Sequence, residues 1–276
     1  MSVAEIAPVP PDFWDEILNF AQTTTARVGE QLLADFGQAT AVEKADGSLV
    51  TQSDQWADEV LRQTIQTAFP SHGVLSEEVE HIFPDTDWCW IIDPIDGTTN
   101  FARGIPLWAI SLGLLYRGTP LFGYVYLPPL RQGFHGFWLG QSGLSGPSGA
   151  FLNGQPIQTS QAEPSGNQFF SLCARSTHIL QNRLPCKVRM LGVATYNVLT
   201  VATGASLGAV EATPKIWDIA AVWAILQAAG GVWQPLSSEP AIFPLQPGQD
   251  YGNRAYPTLA VSRPELLDVF LPLVNS

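Results

Sequence analysis

Trp88–Phe101 reads WCWIIDPIDGTTNF: an apolar run, two aspartates three residues apart, then Gly97, two threonines and an asparagine. Trp90, Ile91 and Ile92 predict a buried strand of aromatic and β-branched residues. Pro94 has no amide hydrogen to give to a central ladder, so Asp93 and Asp96 are expected where the strand breaks into a loop. Two carboxylates held this close repel, and a hard divalent cation with oxygen ligands, such as Mg²⁺, removes the conflict. Gly97 permits a tight turn, which aims the amides of Gly97 and Thr98 at an anion such as phosphate. Asp-Pro and Asp-Gly are also ordinary turn dipeptides, and either alone predicts only a loop.

Upstream, residues 1–11 read as a lead-in. Trp14, Ile17, Leu18, Ala21, Val28 and Leu32 recur at helical spacing behind Asp12, a candidate N-cap. An extended piece over Lys44–Thr51 precedes a second helix from about Asp54 to Phe69, and Asp54 is again a plausible cap. Val74–Glu78 predicts a strand ending in acids, and His81, with no partner at ligand spacing, is assigned to the surface. Downstream, two strands within Trp108–Tyr126 flank a turn at Arg117–Pro120, a strand follows at Phe134–Leu139, and the Gly/Ser-rich segment 141–150 marks a lobe boundary. Asn153-Gly154 is a hairpin signal. Strands are expected at Phe169–Ala174 and Val188–Leu191, with a buried helix at Asn197–Thr203. Asp218 opens an alanine-rich helix that Gly230-Gly231 stops. Residues 235–256 are expected to form a surface connection before a last strand at Thr258–Val261 and a helix at Pro264–Val274.

Acids outnumber bases 25 to 13 in 276 residues, a net charge of −12. That balance, with no Lys/Arg run, argues against a nucleic-acid partner, and an anionic substrate would be repelled unless bound cations inverted the local field. Cys89, Cys173 and Cys186 are odd in number and lack C-x-x-C spacing, which suits a reducing cytoplasm better than a disulfide framework or a zinc site. No basic, apolar leader and no run of about 18 apolar residues predicts a targeted or membrane-spanning chain.

Asp93–Phe101 resembles the first signature of the inositol monophosphatase family, D-P-[ILM]-D-G-[ST]-x-N-F, at every defined position. Trp217–Gly231 resembles the second, W-D-x-A-[AG]-x-x-x-[IL]-x-x-x-A-G-G. The segment from Lys44 through Asp46 to Asp54 is similar to a third element, K-x-D-x-[SD]-x-V-T-x-x-D. Glu77 takes the place of the glutamate in the family's G-E-E, with Ser76 where the family has glycine. The resemblance implies a layered α-β-α-β-α sandwich, with an N-terminal lobe over about 12–148 carrying the metal site and a C-terminal lobe over about 149–276 carrying Asp218. It implies a phosphate monoester hydrolase using two or three Mg²⁺ ions. Glu77, Asp93, the Ile95 carbonyl and Thr98 would hold one ion, Asp93, Asp96 and Asp218 a second, and Asp54 a further one. Glu77 and Thr98, the latter oriented by Asp54, would serve the attacking water. Asp54 and Asp218 read as helix caps on their residues alone.

The resemblance also bears on substrate. Glu211 stands seven residues before Asp218, at the spacing of an acid that contacts inositol hydroxyls in the family. Gly192-Val193-Ala194-Thr195 matches a sugar-contacting element at Ala194 only, and Lys215 replaces a frequent histidine. Asp96, Gly97, Thr98, Ala194, Glu211 and Asp218 are the implied substrate contacts. Inositol 1-phosphate is the favoured small phosphorylated metabolite. Histidinol phosphate, fructose 1,6-bisphosphate and a nucleotide 3′-phosphate are alternatives within the same chemistry, and a non-enzymatic metal-binding module is the alternative outside it. A homodimer and lithium sensitivity are implied by the family alone.

Overall fold

The structure is a computed structural model that describes residues 9–44, 47, 49–237 and 241–274. Asp46, one of the matched positions near Lys44, lies outside the described residues. Helix α1 (Phe13–Asp35) starts after Asp12, whose side chain makes no capping bond. A two-stranded ribbon, β1 (Ala41–Glu43) and β2 (Leu49–Thr51), leads into α2 (Gln52–Ala68). The cap of α2 is Thr51. Its hydroxyl accepts the amides of Ser53 and Asp54, and Asp54, three residues in, returns a bond from its carboxylate to the Thr51 amide, the reciprocal arrangement that satisfies two orphan donors.

Strands β3 (Gly73–Ser76) and β4 (Trp88–Asp96) pair in parallel. Past the short helix α3 (Thr98–Ala102), an antiparallel meander follows: β5 (Ala109–Tyr116), β6 (Thr119–Leu127), β7 (Gln132–Phe137), β8 (Gly149–Leu152) and β9 (Gln155–Ile157). These seven strands form one sheet in chain order, so β8 and β9 continue it past the expected lobe boundary at 148–149. Arg117-Gly118 and Asn153-Gly154 make the tight turns with positive φ at both residues, as two-residue hairpins require.

A second sheet of five strands runs β11-β10-β12-β14-β13, built from β10 (Phe169–Leu172), β11 (Lys187–Arg189), β12 (Gly208–Glu211), β13 (Val232–Pro235) and β14 (Thr258–Val261). Between the sheets lie α4 (Ala194–Ala202) and α5 (Ile216–Ala228), and α6 (Glu265–Phe270) closes the far side before a single 3₁₀ turn. The layers are thus α1/α2, sheet, α4/α5, sheet, α6. Ile17, Leu61, Trp90 and Leu112 fill the first interlayer core, Val125, Phe134, Val198, Val222 and Ile225 the middle one, and Phe170, Leu259 and Phe270 the last.

The middle layer sits close because of its small residues. Gly113, Gly123 and Gly136 face one another across β5, β6 and β7 and form a row without side chains. A Cβ on Gly113 would lie 2.9 Å from Ala220, one on Gly136 2.7 Å from the Ile225 Cα, and one on Gly123 would collide with the Ala221 carbonyl. Helix α5 rests in this trough, so its N-terminus, with Asp218, is pressed toward the ends of β4 and β5.

Two expectations need correction here. Strand β4 does not end at Pro94. It continues to Asp96 as a central strand, because the register slips between Asp93 and Asp96 and the proline falls in that bulge, where no ladder partner awaits its missing hydrogen. The tail is not a mere surface connection: Leu245, Tyr251 and Tyr256 are buried, and Gln249–Tyr251 hydrogen-bonds along His81–Phe83.

Candidate active site

The bulge in β4 does the first part of the work. It turns Asp93 and Asp96 toward one side, and the amide of Ile95 closes onto Asp93 Oδ1 at 3.0 Å. Gly97, at φ 93°, then reverses the chain into α3, a conformation that a side chain would strain. From the middle layer, α5 delivers Asp218 at its third position, where Oδ2 accepts the Lys215 amide at 2.6 Å. Asp218 therefore closes the first turn of its helix in addition to facing the site. Carboxylate oxygens of Asp93, Asp96 and Asp218 come within 4.8 Å of one another.

Around this cluster is a cavity of about 560 Å³ lined by, among others, Glu77, Asp93, Asp96, Thr98, Glu211 and Asp218. Thr98 Oγ1 lies 3.0 Å from Asp54 Oδ1 and 3.0 Å from the Ile95 carbonyl. Glu77, just past β3, is not in the close aspartate cluster; its carboxylate meets the Lys44 ammonium at 3.1 Å, and the same ammonium reaches Glu78 at 2.8 Å. Among the neighbouring charges, Glu77 is nevertheless the strongest influence on Asp93. Glu211 ends β12, is buried, and takes a hydrogen bond from Asn197 Nδ2 at 2.6 Å.

Burial dominates the electrostatics. It raises Asp93 and Asp218 well above the usual carboxylate range, and surrounding acids raise them further. Asp96 is also raised by burial, but less freely, because Thr195 and the Ala194 amide bond to its charged form. Burial brings Glu77 to about 7 against the pull of Lys44, and Glu211 to about 7 against its donors. Several buried acids of one sign, all oxygen donors, make a site whose charged form is stable only with added positive charge, and the donor set fits a hard divalent cation.

A family model described as the inositol monophosphatase family matches residues 14–266. The chain belongs to that family. It is 32% identical over 232 residues to a Thermotoga maritima fructose-1,6-bisphosphatase/inositol-1-monophosphatase, covering 81% of this chain and 86% of the relative. To inositol monophosphatase 1 of Bos taurus it is 32% identical over 249 residues, covering 83% and 87%. The solved structure of a Thermotoga maritima IMPase superposes with a TM-score of 0.77 at 27% identity, over 94% of this chain and 96% of that one. The protein is accordingly a phosphatase of the inositol monophosphatase family, with that family's layered fold.

The two family signatures, 124 residues apart from Asp93 to Trp217, thus meet in one cavity. Gly97, Thr98, Ala194 and Glu211 line it as well. His81 is not a plain surface residue: its ring stacks on Trp217 at 5.4 Å, its Nε2 sits 2.8 Å from the Glu77 carbonyl, and it lines the cavity. Gly252 and Asn253 from the tail complete that wall, and Lys215 Nζ reaches the Gly252 carbonyl at 3.2 Å. Nothing in the sequence marks Thr195 or Asn197 for a contact, since the sugar element ending at Thr195 matches at Ala194 only.

Proposed function

We propose that this phosphatase hydrolyses the phosphate monoester of a polyhydroxylated ring, inositol 1-phosphate first, with Mg²⁺ as its cofactor. The observation that carries the substrate is Glu211, a buried carboxylate on the cavity shared with the aspartate cluster, where it can accept hydrogen bonds from ring hydroxyls. In this reading Glu77, Asp93, the Ile95 carbonyl and Thr98 hold one ion, Asp93, Asp96 and Asp218 a second, and Asp54 helps hold a third. Bound cations there supply positive charge to the phosphate oxygens and acidify water.

The chain's own groups supply position and proton management. Thr98 has one hydroxyl proton, and Asp54 and the Ile95 carbonyl compete for it. With that proton directed at Asp54, Oγ1 keeps lone pairs to accept a hydrogen bond from the attacking water. Glu77, a carboxylate lining the cavity beside the aspartate cluster, is placed to take the proton that the water releases. The amides of Gly97 and Thr98 are the donors for the phosphate oxygens, and Ala194 and Asp218 stand beside the ring.

The three cysteines are free, in keeping with a reducing compartment such as the cytoplasm, and no helix among the described residues is long and apolar enough to cross a membrane. A homodimer and inhibition by lithium belong to the same reading. The test is phosphate release from inositol 1-phosphate, histidinol phosphate, fructose 1,6-bisphosphate and a 3′-phosphonucleotide, with Mg²⁺ and then with excess chelator. Inositol 1-phosphate giving the highest kcat/KM, lost with chelator, is the expected result; another ester ahead by tenfold or more moves the substrate assignment.

A further inference from the structure

Helix α4 grips two carboxylates with its first turn. Val193, the residue before it, offers no side-chain cap. The orphan amides are instead satisfied by Asp96, which arrives from β4: its Oδ1 accepts the Ala194 amide at 3.2 Å, and its Oδ2 accepts both the Thr195 amide at 2.7 Å and the Thr195 hydroxyl at 2.5 Å. Two residues on, Asn197 Nδ2 donates to Glu211 Oε1 at 2.6 Å. Thr195 and Asn197 are fully buried.

The asparagine pays for its position. Its Oδ1 is buried without a hydrogen-bond partner, a cost that a residue serving only the core would not need to bear. What the amide provides is one donor, directed at an acid that burial would otherwise leave free to turn away from the cavity or take up a proton.

The geometry points to Thr195 and Asn197 as a paired set of positioning residues: Thr195 aims Asp96 at the cation side of the cavity, Asn197 aims Glu211 at the hydroxyls of the substrate. Because both stand in one helical turn, the distance between the two halves of the site is set by α4 and not by the loops around it. The inference rests on the functional reading of Asp96 and Glu211 and adds the groups that make them work. It also assigns a role to Thr195, which the sugar element it closes does not contain by residue type.

Two independent readouts separate the arms. Mn²⁺ binding by the purified protein, followed by electron paramagnetic resonance, tests Thr195. Thr195→Val should weaken it by about 10–100-fold, the usual effect of losing a bond to a ligating carboxylate, while Thr195→Ser, which keeps the hydroxyl, should restore most of it. Steady-state kinetics test Asn197. Asn197→Ala should raise KM for inositol 1-phosphate by about tenfold, well beyond its effect on kcat, and Mn²⁺ binding should stay near that of the parent. Thr195→Val and Asn197→Asp are near-isosteric with the parent residues, so the aspartate carries the comparison should Asn197→Ala fail to fold; lacking the donor, it should behave as the alanine does or worse.

Asp96→Asn and Glu211→Gln are the references. If Asp96→Asn loses Mn²⁺ and Thr195→Val does not, or if Glu211→Gln raises KM and neither Asn197 variant does, the positioning roles are overturned while the functional reading stands. If the two reference variants themselves leave binding and KM unchanged, the functional reading falls first.

Discussion

Asp54 joins a helix cap to the wall of the candidate site: one carboxylate oxygen accepts the Thr51 amide at 2.8 Å and the other accepts the Thr98 hydroxyl at 3.0 Å. The same residue that closes the first turn of α2 thus fixes the rotamer of a threonine on α3, across the lobe. Cap and functional residue are one object. Removing the Thr98 hydroxyl should lower kcat by about 10²–10⁴-fold, the range for a group that orients or relays a proton at the attacking water, with a smaller change in KM. Thr98→Ser should recover much of the loss. Single-turnover phosphate release would measure it, and a Thr98→Ala enzyme with parental kcat would remove Thr98 from the mechanism.

Asp96 is held by the Ala194 amide and by the amide and hydroxyl of Thr195, and shares the close cluster with Asp93 and Asp218. Asp96→Asn keeps the volume and removes a charge from the cluster. Turnover should fall by about two to three orders of magnitude, comparable to removing one preorganised electrostatic group, and chelator should abolish what remains. Activity near the parental level in this variant, or indifference to chelator, would detach the cluster from catalysis.

Much of this site is legible because its clustered acids come in two runs with fixed internal order. Asp93, Asp96, Gly97 and Thr98 lie in one stretch, and Trp217-Asp218 opens another, so the sequence alone carried their resemblance. The path of β4 was not legible, since the rule that proline ends a central strand holds only when the register is unbroken, and a bulge leaves no trace in residue types. The burial of the tail is hidden for a related reason: proline-rich, polar composition describes 235–256 well, yet Leu245, Tyr251 and Tyr256 are spaced without period and are buried against His81, Trp217 and their neighbours. Thr195 and Asn197 were invisible because their partners, Asp96 and Glu211, are 99 and 14 residues away, and only the fold reveals those distances.

The trough formed by Gly113, Gly123 and Gly136 predicts a stability effect distant from the chemistry. Gly123→Val would place a branched side chain against the Ala221 carbonyl, and the backbone of α5 has nowhere to move without leaving the sheet. Overpacking of this kind costs about 1–3 kcal/mol and more when the opposing atoms are backbone. Because α5 also carries Asp218, the variant should weaken divalent-cation binding along with lowering the melting temperature. Melting unchanged within a degree would show that the two layers are less closely fitted than the glycine row implies.

Stability should also report on the charge state of the site. Burial raises Glu77 and Glu211 to about 7, whereas in the unfolded chain both release their protons near the ordinary glutamate value of about 4.3. Between these limits the native state binds more protons than the unfolded state, so the free energy of unfolding falls as pH rises through this window and levels off above pH about 7. The raised values of Asp93 and Asp218 act in the same direction, whereas His72 and His135, lowered to about 4 by burial, act against it below about pH 6.5, and the more numerous acids set the sign. Chelator-treated protein should therefore melt at a higher temperature at pH 5 than at pH 8. Divalent cations bind the deprotonated acids, so adding Mg²⁺ should stabilise the protein far more at pH 8 than at pH 5 and narrow or reverse that difference. Calorimetry at both pH values, with and without Mg²⁺, checks the sign; a metal-free protein that gains stability from pH 5 to 8 would mean that these acids are not held protonated by burial in the folded state.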